Sequence, residues 1–524
     1  MSMPPASDAS PAAEALGPRG LAGRFLRGLS LNPRGAAVRS PGWSLSYEEL
    51  HRRALAWAGA LSRAGDGPPP AAVGVLAGKG PEAYVGILAG LYAGATVVPL
   101  NPDFPAGRTA AMIEAAGVGA VLADARGRAL LAQAPPGAPG PRVLALDEDE
   151  PPADRALTAP LPADPEGTDY VLFTSGSTGR PKGVRIPRAG TAHYFELLDK
   201  RYDFTPDDVF SQTFDLNFDC AMFDLFSAWG AGGTVQLIPG TAYRDLPAFA
   251  AEHGLTVWFS TPSAISLLRR MGDLGPGTLP GLRWSLFAGE ALRCVDADEW
   301  QRAAPASTVE NLYGPTELTI TICAYRWSTQ DTPGLAVHGI VPIGEVHEGH
   351  RRLLLDPEGR TVSGSGAEGE LLIAGPQLTN GYLDRADGEG RFVVREGRTW
   401  YRTGDRVREV ADGVLVYVDR LDAQVQVQGL RIEPAEIDQA LRACGGVAEA
   451  VTVAVPAPDG DTALVGFYTG EAQPAAALAR ALRGALPERM IPRRFAHLPE
   501  LPLNPNRKTD RAALRARASA LLDG

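Results

Sequence analysis

Cysteine is scarce. Four residues, Cys220, Cys294, Cys323 and Cys444, are scattered through 524. Their spacing fits neither a zinc site nor a disulfide framework, which suits a reducing cytosol. No apolar run reaches the ~18 residues that a membrane helix needs, so no membrane partner and a cytoplasmic location are expected. Positive charge is in the minority, with 50 Lys and Arg against 61 Asp and Glu. There is no long basic stretch, which argues against a nucleic-acid partner. Histidine is also sparse; His347 and His350 lie close together but lack further ligands, so a solvated turn is expected there rather than a metal site. No internal repeat is found. Residues 1–20 are rich in Ala, Pro, Ser and Gly, lack the apolar core of a secretory signal and read as a disordered tail.

What is present begins with Tyr170 to Phe173, an apolar run that reads as a strand. It leads into Thr174-Ser175-Gly176-Ser177-Thr178-Gly179-Arg180-Pro181-Lys182-Gly183. Glycine lets backbone N–H groups approach an anion closely. Hydroxyls and a lysine beside them are what a polyphosphate needs. Composition alone leaves two readings open, a phosphate cradle and a plain loop. The stretch departs from the Walker pattern, since no G-K-[ST] closes it.

The chain is longer than the ~100–200 residues of an ordinary domain. Helical and strand patterns alternate: a helix over 47–60, a strand over 72–76, a helix over 81–93, and strands over 96–100, 120–123 and 142–146. Such alternation predicts α/β sheets. A boundary is expected near Asp419 to Asp422, giving a large domain over 21–420 and a small α+β domain over 421–524. In the latter, strands are predicted over 424–427, 451–455 and 463–468, and helices over 434–444 and 475–486.

The literal order T-S-G-S-T-G-x-P-K-G closely resembles the phosphate loop of adenylate-forming enzymes: acyl-CoA ligases, luciferases and the amino-acid adenylation domains of nonribosomal peptide synthesis. Further motifs follow in that family's order. They are Leu91 to Ala95 with Pro99 to Pro102, Asn311-Leu312-Tyr313-Gly314-Pro315-Thr316-Glu317, Gly369-Glu370-Leu371 with Gly381-Tyr382, and Tyr401-Arg402-Thr403-Gly404-Asp405. Then come Gln424 to Gly429 with Arg431-Ile432-Glu433, Leu486-Pro487 with Met490-Ile491-Pro492, and Asn504 to Arg511. The resemblance implies a large N-terminal domain of mixed α/β sheets and a small, mobile α+β C-terminal domain.

It also implies a two-step reaction. A carboxylate attacks the α-phosphate of ATP and expels pyrophosphate; a thiol then displaces AMP. In the first step Thr174, Ser175, Gly176, Ser177, Thr178, Gly179 and Lys182 would hold phosphates. Thr316 would donate to the α-phosphate, and Glu317 would bind Mg²⁺ as a hard oxygen ligand. Asp405 would accept the ribose hydroxyls with Arg420 in support; Tyr313 and Tyr417 would pack near the adenosine, and Gly289 would be part of the ATP site; Lys508 would bridge carboxylate and phosphate. In the second step the C-terminal domain would rotate about a hinge at Asp422, withdrawing Lys508 and bringing Gly429 beside a pantetheine tunnel, with Phe218 as an aromatic gate. Three positions depart from the family pattern: Asp419 in place of Gly, Gln426 and Gln428 in place of basic residues, and Arg507 before Lys508.

The acid is read from Phe218-Asp219-Cys220-Ala221-Met222-Phe223, although Phe214-Asp215 overlaps the motif. Amino-acid adenylation domains use this Asp to pair with the substrate's α-amino group, and a buried carboxylate needs such a partner; the alternative is that Asp219 only caps a helix. The remaining wall is Cys220, Phe223, Phe259, Leu286, Ala288, Leu312, Ile320 and Thr321, apolar and without a second charge. The set is similar to that of free-standing L-proline adenylation enzymes, which load proline onto a carrier protein. No phosphopantetheine serine motif follows Lys508, so the carrier is expected to be a separate chain. Three alternatives stay open: an alanine or D-alanine ligase, an acyl-CoA ligase disfavoured by Asp219, and a non-catalytic binding module.

Overall fold

The computed structural model describes residues 20–62, 69–134, 140–176, 179–272, 274–457, 461–503 and 509–523. The expected tail at 1–19 and the residues Ser177, Thr178 and Lys508 lie outside them.

Three sheets build the large N-terminal region. The first has six strands in the order Arg142–Ala145, Ala120–Ala123, Ala72–Leu76, Thr96–Leu100, Thr168–Thr174 and Lys182–Pro187. Five run parallel; the last returns antiparallel to Thr168–Thr174. Every residue of Ala72–Leu76 is buried, as expected of a parallel strand covered on both faces. One cover is the helix Pro81–Tyr92, which opens on a proline and is buried from Ala83 onward; proline suits the first helical position, where no N–H partner is needed.

The second sheet has nine strands, with Val209–Gln212, Val257–Ser260, Trp284–Phe287 and Thr308–Tyr313 near its middle. Helix Asp219–Ala231 packs on it and ends at Gly232 with φ 76°, a left-handed cap that favours glycine. The third sheet is antiparallel and carries the long strand Arg398–Ala411 paired with Val414–Arg420.

The C-terminal region is a separate α+β layer. Val447–Pro456, Thr462–Gly470 and Arg494–His497 form a three-stranded sheet. One apolar cluster joins Leu464 and Tyr468 to Ile437, Leu441, Leu478 and Leu482; another joins Val453 and Phe467 to Leu514 and Ala518 from helix Arg511–Asp523. The helix expected over 475–486 stops at Arg483, before Pro487 and the short turn Glu488–Met490. Among the described residues, no helix is long and apolar enough to cross a membrane.

The turn expected at His347 and His350 is present, closed by the His350 N–H on the His347 carbonyl at 3.2 Å, but both rings are half-buried rather than solvated. His347 stacks on Tyr194 at 6.2 Å and meets Gln377 Oε1 through Nδ1, while His350 packs on His193. Burial pushes the His347 pKa down to about 4.

Candidate active site

The glycine- and hydroxyl-rich loop closes a hairpin between Thr168–Thr174 and Lys182–Pro187 rather than opening a helix. The loop therefore presents local donors and a lysine rather than the end of a helix dipole. A Cβ on Gly176 would lie 2.0 Å from the Arg180 carbonyl oxygen and 3.2 Å from Lys182 Cε, so the turn admits glycine alone beside the lysine. Thr174 ends the first strand, Lys182 is buried at the start of the second, and Gly179 has φ 78°.

Asp405 lies buried on Arg398–Ala411. Tyr313 donates its hydroxyl to Asp405 Oδ2 at 2.5 Å, and Arg420 Nη1 donates to Oδ1 at 2.8 Å. Burial raises the Asp405 pKa against the pull of Arg420. Tyr417, on the adjacent strand, packs in the same apolar cluster as Tyr313. Asp422 accepts from Arg420 Nε at 3.0 Å and Nη2 at 2.7 Å, and Arg391 also reaches it. Asp419, a departure from the expected glycine, pairs with Arg406 at 2.6 Å.

Glu317 sits in the short turn Thr316–Leu318, fully buried. Tyr382 donates to Oε1 at 2.6 Å, and Arg431 Nη1, from the C-terminal region, donates to Oε2 at 2.9 Å. Burial works to raise the Glu317 pKa, but Arg431 and Tyr382 outweigh it and hold it low. Thr316, expected on a phosphate, lies near the Asp219 carboxylate and works to lower its pKa.

Asp219 is the first residue of helix Asp219–Ala231, where the Cys220 N–H donates to Oδ1 at 2.9 Å. Among the described residues no cation pairs with it. Burial raises its pKa to about 6. Asp215, the overlapping candidate, is instead 3.6 Å from Lys79 Nζ. Phe223, Phe259, Leu286, Ala288, Leu312, Ile320 and Thr321 are all buried, and Cys220 is half-buried beside Asp219. Phe259 is sandwiched between Phe214 and Phe223, each with ring centroids at 4.8 Å. Thr319 and Ile320 hold φ values of 55° and 71°, an outlier conformation for β-branched residues. Gln377 sustains it: its Nε2 donates to the carbonyls of Leu318, Thr319 and Thr321, and Thr319 donates back to the Gln377 carbonyl. Tyr194 pairs with the Thr321 hydroxyl at 2.9 Å.

Phe218 and Gly429 line one cavity of about 520 Å³ together with Lys79, Thr213, Tyr243 and Thr261. The Gly429 N–H donates to Glu290 Oε1 at 2.8 Å, and the preceding Gly289 has φ 87° and lies against Gly429. Sequence reasoning missed Gln377, Glu290 and the Arg431 contact. Gln377 carries no motif signal, and the other two depend on how the two regions meet.

A family model described as AMP-binding enzyme matches residues 29–383, and one described as AMP-binding enzyme C-terminal domain matches 436–508. The chain belongs to the AMP-binding enzymes. It has the adenylate-forming fold. This AMP-binding enzyme is 34% identical to the L-proline--[L-prolyl-carrier protein] ligase of Streptomyces coelicolor, over 89% of this chain and 91% of that protein. The crystal structure of IdnL7 shares 52% identity and a TM-score of 0.74, covering 96% of this chain and 99% of that one. The Vibrio cholerae adenylation domain AlmE, in complex with glycyl-adenosine-5'-phosphate, shares 28% identity and a TM-score of 0.82, covering 95% and 97%. Other relatives are far longer: the chain spans 21% of a dimodular nonribosomal peptide synthase of Bacillus subtilis, to which it is 32% identical over 94% of its own length.

Proposed function

We propose that this AMP-binding enzyme activates a small apolar amino acid, L-proline first, as its aminoacyl adenylate and then transfers the acyl group to the phosphopantetheine thiol of a separate carrier protein. The observation that carries the reading is Asp219: a buried carboxylate with a pKa pushed to about 6 and no cation beside it among the described residues. Such a group is costly alone and favourable once an ammonium arrives. A cyclic secondary amine offers it two N–H donors, and the apolar wall takes the ring. The likeness to the S. coelicolor L-proline--[L-prolyl-carrier protein] ligase supports proline as the acid and a carrier protein as the acceptor.

In the first step an oxygen of the amino-acid carboxylate bonds to the α-phosphorus, and the bond to pyrophosphate breaks. Lys182 and the Ser175–Gly176 turn are assigned to the departing phosphates, Asp405 and Arg420 to the ribose, Tyr313 and Tyr417 to the adenosine, Gly289 to the ATP site, and Thr316 to the α-phosphate. Lys508, Ser177 and Thr178 keep the roles that the resemblance implies. Glu317, a buried carboxylate, would hold Mg²⁺ as a hard oxygen ligand; among the described residues no group of three acids, histidines or cysteines could hold a metal. Mg²⁺ held there would supply charge neutralisation at the phosphates. In the second step the carrier thiol takes the acyl group, AMP leaves, and the cavity lined by Phe218 and Gly429 is the assigned path for the pantetheine arm.

A second reading, L-alanine, is favoured by the Phe214–Phe259–Phe223 stack, which narrows the wall and so selects for small volume. Amino-acid-dependent ATP–pyrophosphate exchange over the proteinogenic amino acids, D-alanine and β-amino acids tests both. Proline is expected to lead; exchange led by alanine replaces it, and exchange with no amino acid defeats the function.

A further inference from the structure

We propose that the C-terminal region carries a charge mimic of metal–pyrophosphate, Arg431 standing in for the cation and Glu436 for the phosphate, so that docking in the present pose and retention of metal–pyrophosphate exclude each other. The inference rests on the function proposed above and adds the signal that switches the enzyme between its two steps.

Arg431 lies on Leu430–Ile432, and its largely buried side chain reaches across to the large region. Its Nη1 is 2.9 Å from Glu317 Oε2, while Tyr382 occupies Oε1 at 2.6 Å. Both oxygens that a hard cation would use are thus engaged. The charge count gives the same answer. Asp405, whose charge also feels Arg431, is already paired with Arg420. One available carboxylate at low dielectric neutralises one cation, and a second cation there would meet strong repulsion.

The mirror image occurs at the phosphate loop. Glu436, buried on helix Pro434–Arg442, accepts the Gly176 N–H at 3.3 Å, a donor a phosphate oxygen would otherwise use, and it also pairs with Arg108. The Ser175 hydroxyl is consumed too: it donates to the Arg431 carbonyl at 2.6 Å and accepts from the Glu433 N–H at 3.0 Å. A carboxylate on the anion donor and a guanidinium on the metal's carboxylate repeat the charges of the departing pair in their own places. Pyrophosphate and metal must leave before these contacts form, and the contacts then hold Gly429 against Glu290 at the thiol path.

Hydrogen exchange by mass spectrometry on the full chain tests this with Mg²⁺ plus inorganic pyrophosphate as the probe, and Mg²⁺ alone and pyrophosphate with a chelator as controls. The amides of Gly429 and Glu433 report the docked pose. In the wild type they are expected to exchange roughly tenfold faster with the probe and to stay slow in both controls. Arg431→Gln is expected to exchange fast without any probe, and Arg431→Lys to recover protection and response; simple loss of packing would not give recovery by charge. Glu436→Gln, which keeps a hydrogen-bond acceptor but drops the charge, is expected to be fast without probe as well and serves if the Arg431 variant fails to fold. A wild type that ignores the probe, or slow probe-independent exchange in the charge-removing variants, overturns the proposal. Amino-acid-dependent exchange of pyrophosphate without this response keeps the function and removes the switch; the response without such exchange does the reverse.

Discussion

Arg420 and Asp405 are joined at 2.8 Å, and the same guanidinium turns its other two nitrogens to Asp422, so the assigned ribose acceptor and the assigned hinge share one cation. Removing that cation leaves Asp405 buried with, among the described residues, only the Tyr313 hydroxyl donating to its carboxylate from a side chain. Arg420→Ala is expected to cost about 3 kcal/mol of stability, the scale for breaking a largely buried pair from one side. It should also raise the KM for ATP more than that for the amino acid. Urea denaturation and steady-state kinetics measure the two effects; an unchanged KM for ATP would take Arg420 away from the ribose.

The proposed pairing of Asp219 with the substrate ammonium predicts amino-acid binding that depends on pH. Its folded pKa of about 6 lies above the ordinary 3.8 because burial disfavours the charge. The sign follows: in the free enzyme this group's stability contribution is full below 3.8 and lost as pH rises through 6, about 3 kcal/mol in all. An ammonium reverses it, because the ionised form is the one that binds. The KM for the amino acid should therefore climb as pH falls below 6, and the amino acid should raise the Tm more at pH 7.5 than at pH 5. Asp219→Asn should flatten both trends and raise that KM roughly a hundredfold. A KM in Asp219→Asn equal to the wild type would return the role to Asp215.

The residues that could be read from the sequence are those whose chemistry is local. The glycines and proline between Thr174 and Lys182 announce a break between strands, which the structure has as a hairpin, and Ala72–Leu76 announces a covered strand by being apolar throughout. Those that could not be read act across the fold. Lys182–Pro187 becomes a strand because Thr168–Thr174 offers its edge. Arg431 gains meaning only against Glu317, 114 positions away, and His347 is half-buried by Tyr194, which no turn pattern encodes.

Gln377 holds the strained turn at Thr319 and Ile320, next to Thr321, in the assigned amino-acid wall. Its Nε2 contacts three carbonyl oxygens, and its loss strands buried acceptors at about 1–3 kcal/mol. Gln377→Ala should lower the Tm and widen the range of amino acids that support pyrophosphate exchange, with the KM for ATP little changed. Unaltered selectivity in a folded variant would show that the turn stands without it.

His347 should set the acid limit of stability. Burial lowers its pKa to about 4, against 6.5 unfolded, with Gln377 pulling the other way and the nearby Arg201, His350 and His193 adding to the depression. A histidine kept neutral in the fold binds fewer protons there than in the unfolded chain. Its stabilisation is therefore full above 6.5 and declines as pH falls toward 4. Between pH 7 and pH 5 the loss is about 2 kcal/mol. The Tm of the wild type should fall over that interval, and His347→Gln, which keeps an amide beside Gln377 but cannot titrate, should fall less. Equal slopes for the two proteins would place the acid sensitivity elsewhere, with Asp219 excluded because its contribution runs in the opposite direction.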